Sequence, residues 1–297
     1  MVGQSKGGGM EPERVVDSHS LTGEGPIWHP DENVLYWLDI PDGELYRYDP
    51  ASDENELLYD DPDAIGGYTI QPDGSLLLFE DRGRVEHFDD GEVSVVIEEL
   101  PGEEDSRFND VIADPEGRVF AGTMPTDDQL GTLYSLDTDG SIESVYEGAD
   151  IPNGMGFSPD QETMYFAESE AHLVHQFDYD AATGAIDEVD PFLEVDGPEV
   201  PDGLTVDANG DVWIAFWDGE RVARYDPEGV EQERVEFPAK KVSCITFGGE
   251  DYEDAYVTTA LGEDGTTREE EGDGAGSLFR FEPGVSGVPE FRSRIEL

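Results

Sequence analysis

The sequence predicts an all-β fold, a six-bladed β-propeller, on three observations. No segment sustains an apolar period near 3.6 residues, which argues against long helices. Short alternating strands recur instead ("VLYWLDI", "SLLLFED", "RVFAGTM", "TMYFAES", "DVWIAFW", "AYVTTA"), each following a turn rich in Pro, Asp, Glu and Gly. The units built on these strands repeat every 41 to 49 residues or so. A repeat of about 40–50 residues holding four strands is the sequence signature of a propeller blade.

Each unit has the same order: an inner strand, the turn, the second strand, a short loop and a third strand such as "GELYRYDP", "GTLYSLDT" or "GSLFRFEP", then a weaker outer strand. The six units begin near Gly23, Gly66, Asn109, Asn153, Asp202 and Ser243. The expected organisation is one propeller domain over residues 13–297. Residues 1–12 are expected to be a disordered leader, vector-derived to about residue 9, with Met10 as the natural start. The polar stretch "GEDGTTREEEGDGAG" (262–276) is an insertion in the last unit and is expected to be a mobile loop.

Composition narrows the function classes. The 297 residues carry 16 Lys+Arg against 73 Asp+Glu, a formal net charge of −57, with the acids spread along the whole length. Such a surface repels nucleic acid and anionic membranes, which excludes both as partners. It suits a salt-rich cytosol, where at molar ionic strength the Debye length falls to about 3 Å and the acids hydrate the surface without mutual repulsion. Lysine is confined to Lys6, Lys240 and Lys241. The expected source is an extreme halophile and the expected compartment its cytoplasm. No apolar run approaches the ~20 residues of a membrane span. Cys244 is the only cysteine, so no intrachain disulfide can form. In "VSCITF" it reads as a small buried residue rather than a nucleophile.

Aligning the units within the chain singles out one ring of positions. Six residues before the turn residues Pro30, Pro72, Pro115, Pro159 and Ala208 stand Glu24, Gly66, Asn109, Asn153 and Asp202, with Ser243 at about the same place in the last unit. All begin inner strands, so they surround the propeller axis at one end. Carboxylate and amide oxygens converging there suit a hard divalent cation such as Ca²⁺. Polar residues also line any wet propeller mouth, and the alignment by itself leaves both readings open.

The phrases around the ring are longer than the ring: "GEGPIWHPDENVLYWLDI" (23–40), "RFNDVIADPEGRVFAGTM" (107–124), "IPNGMGFSPD" (151–160), "VPDGLTVDANGDVWIAFW" (200–217) and "VSCITFGGEDYEDAYVTTA" (242–260). In order and spacing they resemble the SMP-30/gluconolactonase/luciferin-regenerating family of six-bladed propellers, over nearly the whole chain after the leader. The resemblance implies a divalent metal (Ca²⁺, Zn²⁺, Mn²⁺ or Fe²⁺) held by Glu24, Asn153 and Asp202, with Asp202 also the catalytic base. It implies that Arg107 and Asn109 hold the substrate's oxygens, and that an acid just past "AGTM", Asp127 or Asp128, joins them. Relatives often carry Gly-Lys where this chain has Val111 and Ile112, a departure on the inner strand that bears on substrate detail.

The function so implied is a metal-dependent hydrolase opening a glucono-, xylono- or arabinono-lactone, a small sugar lactone, to the aldonic acid. The alternatives are an arylesterase or organophosphate hydrolase on the same architecture, or a calcium-binding propeller without turnover. The protein is expected to act as a monomer or weak homo-oligomer. A Ser-His-Asp hydrolase has no support, since no G-x-S-x-G phrase occurs. His172 and His175 stand on opposite faces of a strand, which argues against a shared zinc.

Overall fold

The computed structural model describes residues 10–189, 191–263 and 265–297. The leader expected over residues 1–12 lies outside the described residues as far as residue 9; Met10 packs against an apolar cluster of the last two blades.

The turns that punctuate the sequence make tight hairpins. Asp73, Asp114, Asp160 and Asp207 each accept the backbone N–H two residues on, the side-chain turn that Asp forms most readily. Close by, the chain needs a positive φ, supplied by Asn33 (56°), Gly74 (94°), Gly117 (95°) and Gly210 (92°). Antiparallel strands leave these turns, with the following sheets as the result.

Blade 1 is β2 (Gly23–His29), β3 (Val34–Asp39), β4 (Glu44–Asp49) and β5 (Glu54–Asp60), where β1 (Glu13–Val16) lies outside it. Blade 2 is β6 (Ile65–Ile70), β7 (Leu76–Glu80), β8 (Val85–Asp89) and β9 (Glu92–Ile97). Blade 3 is β10 (Phe108–Ala113), β11 (Val119–Thr123), β12 (Gly131–Leu136) and β13 (Ile142–Ala149). Blade 4 is β14 (Pro152–Phe157), β15 (Thr163–Glu168), β16 (Leu173–Asp180) and β17 (Ala185–Glu188), with β18 (Leu193–Glu194) also paired to β16. Blade 5 is β19 (Val200–Val206), β20 (Val212–Trp217), β21 (Arg221–Tyr225) and β22 (Glu231–Glu236). Blade 6 is β23 (Lys241–Gly248), β24 (Asp254–Ala260), β25 (Leu278–Phe281) and, as its outer strand, β1. The chain is a six-bladed β-propeller.

The last blade differs from the repeat expected of it, because its fourth strand comes from the start of the chain. Glu13 and Arg14 pair with Arg280 and Phe279. The N-terminal strand thereby closes the ring and covers the edge of β25, as a sheet edge must be covered.

The core lies between blades. Trp213, Ala215 and Val222 of blade 5 cluster with Ile245, Phe247 and Val257 of blade 6. Trp28, Leu35 and Trp37 of blade 1 likewise meet Tyr256 and Leu278 of blade 6. Truncating a buried aromatic in such a seam costs about 3–5 kcal/mol.

Two segments depart from expectation. The 262–276 stretch carries the one-turn helix α1 (Arg268–Glu271), and Ala275 beside it is fully buried. Arg268 donates to the Ala275 carbonyl at 2.8 Å, and Lys240 N–H to that of Glu271 at 2.8 Å. The described part is thus bonded to the blade rather than free of it, because its backbone carbonyls find side-chain and main-chain donors. The second segment follows β25. It crosses the end of the propeller opposite the inner-strand starts, with Ser293 N–H on the Ile70 carbonyl, Arg294 N–H on that of Gly117 and Glu296 N–H on that of Thr138.

Removing residues 1–16 is expected to bare β25 and lower the melting temperature by about 10 °C or more, with aggregation. Calorimetry and light scattering check this; an unchanged melting temperature would show that β1 is dispensable.

Candidate active site

All six inner strands lose register with their neighbours at the same place. Between paired residues Glu24 and Ile27, Phe108 and Val111, Pro152 and Met155, and Pro201 and Leu204, the inner strand carries an excess residue. A shorter irregularity sits at Gly66 and at Ser243. A bulge bends the strand and re-aims its side chains. Here it turns Glu24, Asn109, Asn153 and Asp202 into one cavity of about 520 Å³ at the axis, which Arg107 also lines.

Close packing at the bulges explains the glycine after Asn153 and Asp202, and a positive φ of 52° explains Gly25 after Glu24. A Cβ on Gly154 would stand 2.3 Å from the Leu204 nitrogen and 2.6 Å from the Asp202 carbonyl oxygen. One on Gly203 would meet the Cys244 sulfur at 2.3 Å. The phrases "IPNG" and "VPDG" therefore place an oxygen donor on a bulge and then a residue with no side chain against the next blade.

Side chains stitch the ring from blade to blade. Asn109 Nδ2 donates to the Pro152 carbonyl at 2.9 Å. Asn153 Nδ2 donates to Ser169 Oγ at 3.1 Å, and that hydroxyl donates to the Pro201 carbonyl at 2.7 Å. With its NH₂ so engaged, Asn153 has its amide oxygen left as a donor atom for a cation. Arg107 Nη1 donates to Asn109 Oδ1 at 2.9 Å and to the Phe108 carbonyl at 2.8 Å, which holds the guanidinium at the cavity wall.

The carboxylates here are short of positive charge. Glu24 and Asp202 are buried, and among the described residues neither forms a salt bridge. Burial, then Asp110, pushes the Glu24 carboxyl up to about 8, although the Gly25 N–H bonds it at 2.8 Å. Burial, then Glu24 and Asp110, raises Asp202 well above the ordinary carboxylate range, against the bonds from Asn153 and the Gly203 N–H. Burial raises Asp110 to about 7. Two carboxylates and an amide oxygen, crowded and, among the described residues, without a salt-bridge partner, form an oxygen-only donor set that fits a hard divalent cation.

The structure therefore brings Glu24, Arg107, Asn109, Asn153 and Asp202 to one cavity. It does not bring Asp127 there: Asp127 and Asp128 are exposed in the turn after β11, folded outward by the Thr126 N–H on the Gln129 carbonyl, and Met124 lines the cavity instead. Ser243 is also drawn away, since its hydroxyl donates to the Gly23 carbonyl between blades 6 and 1. Sequence reasoning passed over Asp110, which lines a smaller cavity of about 60 Å³ deeper along the axis with Gly25, Gly67 and Cys244, the last buried as its apolar run implied. The signal was present one position beyond the ring, where the residues are Gly25, Gly67, Asp110, Gly154, Gly203 and Cys244. It missed Lys241 at the rim too, and Trp217, which its position at the end of a strand marks as core by default, lines the cavity there with the Lys241 ammonium 5.7 Å from its ring centre.

A family model described as the SMP-30/Gluconolactonase/LRE-like region matches residues 22–261. The chain belongs to the SMP-30/gluconolactonase/LRE-like family. Within the family it is 48% identical to pentonolactonase XacC of Haloferax volcanii, over 97% of this chain and 100% of that one. Among solved structures, a luciferin-regenerating enzyme superposes with a TM-score of 0.88 at 25% identity, covering 97% of this chain and all of the other. The calcium-binding protein regucalcin of Agrobacterium tumefaciens gives 0.85 at 27% identity, over 96% and 97% of the two chains. Each of these three likenesses covers 96% or more of this chain.

The raised acids set a pH dependence. Glu24 binds its proton more tightly folded than unfolded, so in metal-free protein stability falls as pH rises from about 4.5 to about 8 and levels off above. Calorimetry of chelator-treated protein at fixed high salt is expected to show that fall, flattened in Glu24→Gln. A slope equal to that of the wild type in this variant would rule out Glu24 as its source.

Proposed function

We propose that the protein is a metal-dependent sugar lactonase, a carboxylic-ester hydrolase that opens an aldonolactone to its aldonic acid. The observation that carries the reading is the meeting of Glu24, Asn153 and Asp202 with Arg107 and Asn109 in one axial cavity. The full-length likeness to a pentonolactonase supports a five-carbon lactone such as xylono- or arabinono-lactone as the substrate.

Glu24, Asn153 and Asp202 would hold the divalent ion, and the calcium-binding regucalcin neighbour supports Ca²⁺ as a candidate. When bound, such an ion polarises an ester carbonyl and offsets charge on the oxyanion. The rest falls to the chain's own side chains. Arg107, fixed by its bonds to Asn109 and Phe108, keeps further N–H groups for the hydroxyls of a polyol. Asn109 adds polar contacts beside it. Asp202 accepts the proton of the attacking water through the carboxylate oxygen that the ion leaves free. The water oxygen bonds to the carbonyl carbon and the ring C–O bond breaks. The proton taken by Asp202 passes to the departing ring oxygen, leaving a hydroxy acid.

A charged wall of Arg107, Lys241, Glu170 and Asp218 favours a polyol over an aryl ester, and the acidic surface suits work in a salty cytosol. Asp202→Asn is expected to lower kcat on pentonolactones by about 10²-fold or more, and EDTA to abolish the activity until metal is returned. A pH-coupled assay in high salt, corrected for spontaneous hydrolysis, reads both; turnover by Asp202→Asn near wild type would sink the assignment. Arg107→Ala is expected to raise KM about tenfold or more with a smaller change in kcat.

A further inference from the structure

Away from the axis, a second group of carboxylates is packed together with little exposure to solvent. Asp61 follows β5, Glu80 ends β7 and Glu86 lies in β8, so blades 1 and 2 both contribute. One oxygen of each lies within 4.8 Å of the others. Glu80 is 1% exposed, Glu86 4% and Asp61 9%.

The neighbours account for only part of this charge. Arg84, in the turn from β7 to β8, bonds Glu86 Oε1 through Nε at 2.7 Å and lies 3.5 Å from Glu80 Oε2. Tyr59 hydroxyl donates to Asp61 Oδ2 at 2.6 Å, and Asp63 N–H to Asp61 Oδ1 at 2.9 Å. Glu80 Oε1 is buried and has no hydrogen-bond partner. The three carboxylates have one guanidinium among them, Arg84, which pairs with Glu80 and Glu86 and also lies 3.5 Å from Glu98, so at least two negative charges are left over. Arg82, on the same turn, is directed to Asp63 at the surface. Burial, then Glu86 and Asp61, pushes Glu80 up to about 9, as expected of a carboxylate held against its own kind. By contrast, in the group Asp39, Asp42 and Glu44 both Asp39 oxygens are taken by the Leu21 and Thr22 amides, and no orphaned atom remains.

We propose that Asp61, Glu80 and Glu86 form a second divalent-cation site, built for Ca²⁺, which joins blade 1 to blade 2. Ligand oxygens up to 4.8 Å apart are about twice a Ca²⁺–O distance from one another, so one ion can touch all three. Two positive charges cancel the two left over, and the ion supplies the partner that Glu80 Oε1 lacks. Asp81, next to Glu80, bridges Arg107 through the backbone, so the ion would brace the strand end behind the substrate wall. The site is independent of the axial ligands and of the lactonase reading.

The test is the number of Ca²⁺ ions bound per chain, counted by equilibrium dialysis and elemental analysis of full-length, chelator-stripped protein in high KCl. Glu80→Gln is expected to bind one Ca²⁺ fewer than wild type. It is also expected to lose about 5 °C of the rise in melting temperature that Ca²⁺ gives at a hundredfold excess over Kd. Should Glu80→Gln fail to fold, Glu86→Gln carries the same two readouts. An unchanged ion count would overturn the proposal. So would a Ca²⁺-induced rise as large in the variant as in wild type, since the pocket would then be holding a proton on Glu80 instead.

Discussion

Everything at the centre of this molecule follows from how closely six inner strands approach one another around the axis. At that range a regular strand has no room for its side chains on both faces. The bulge resolves the conflict locally: it lets one residue turn inward and puts a glycine against the neighbouring backbone, as at Gly154 and Gly203. Packing and chemistry are therefore set by the same irregularity. The Asn109 bond to the Pro152 carbonyl, and the Ser169 bond between Asn153 and Pro201, show side chains of the site also holding the blades in register.

The propeller and much of its mouth were legible in the sequence, because the turns repeat and the bulge falls at a constant distance before them. Counting back from Pro159 or Ala208 lands on Asn153 or Asp202 because the hairpin between has a fixed length. What escaped depends on contacts distant in the chain. Nothing near residue 13 announces a partner at Phe279 and Arg280, and a short edge strand has little pattern of its own. Asp127 sits where an acid was looked for, yet its turn folds outward, and turn direction is decided by bonds such as Thr126 to Gln129 that spacing does not reveal. Asp110 was hidden by adjacency, since a bulge can aim two consecutive residues at the axis and only the first, Asn109, was weighed.

Charge has opposite meanings at the surface and inside. The excess behind a net charge of −57 is mostly hydrated, and salt screens it. Inside, screening is absent, and carboxylates such as Glu24, Asp202 and Glu80 are raised by desolvation. A chain this acidic cannot mark its important acids by composition. It marks them by burying them where carboxylates outnumber the Lys and Arg beside them.

The segment that crosses the far end of the axis has a bearing on traffic. Glu290, Phe291 and Arg292 of that segment line the deeper cavity with Asp110, so the axis meets protein, not solvent, at its lower end. The passage is a cup and not a pipe. A neutral ring compound entering and the anion it becomes must share one doorway, and that doorway is edged by Glu170, Asp218 and Glu263. An uncharged arrival feels little of that edge, whereas an anion meets both the acids and Lys241 beside them, so the balance of charge at the rim, not the blades, sets how the two are told apart.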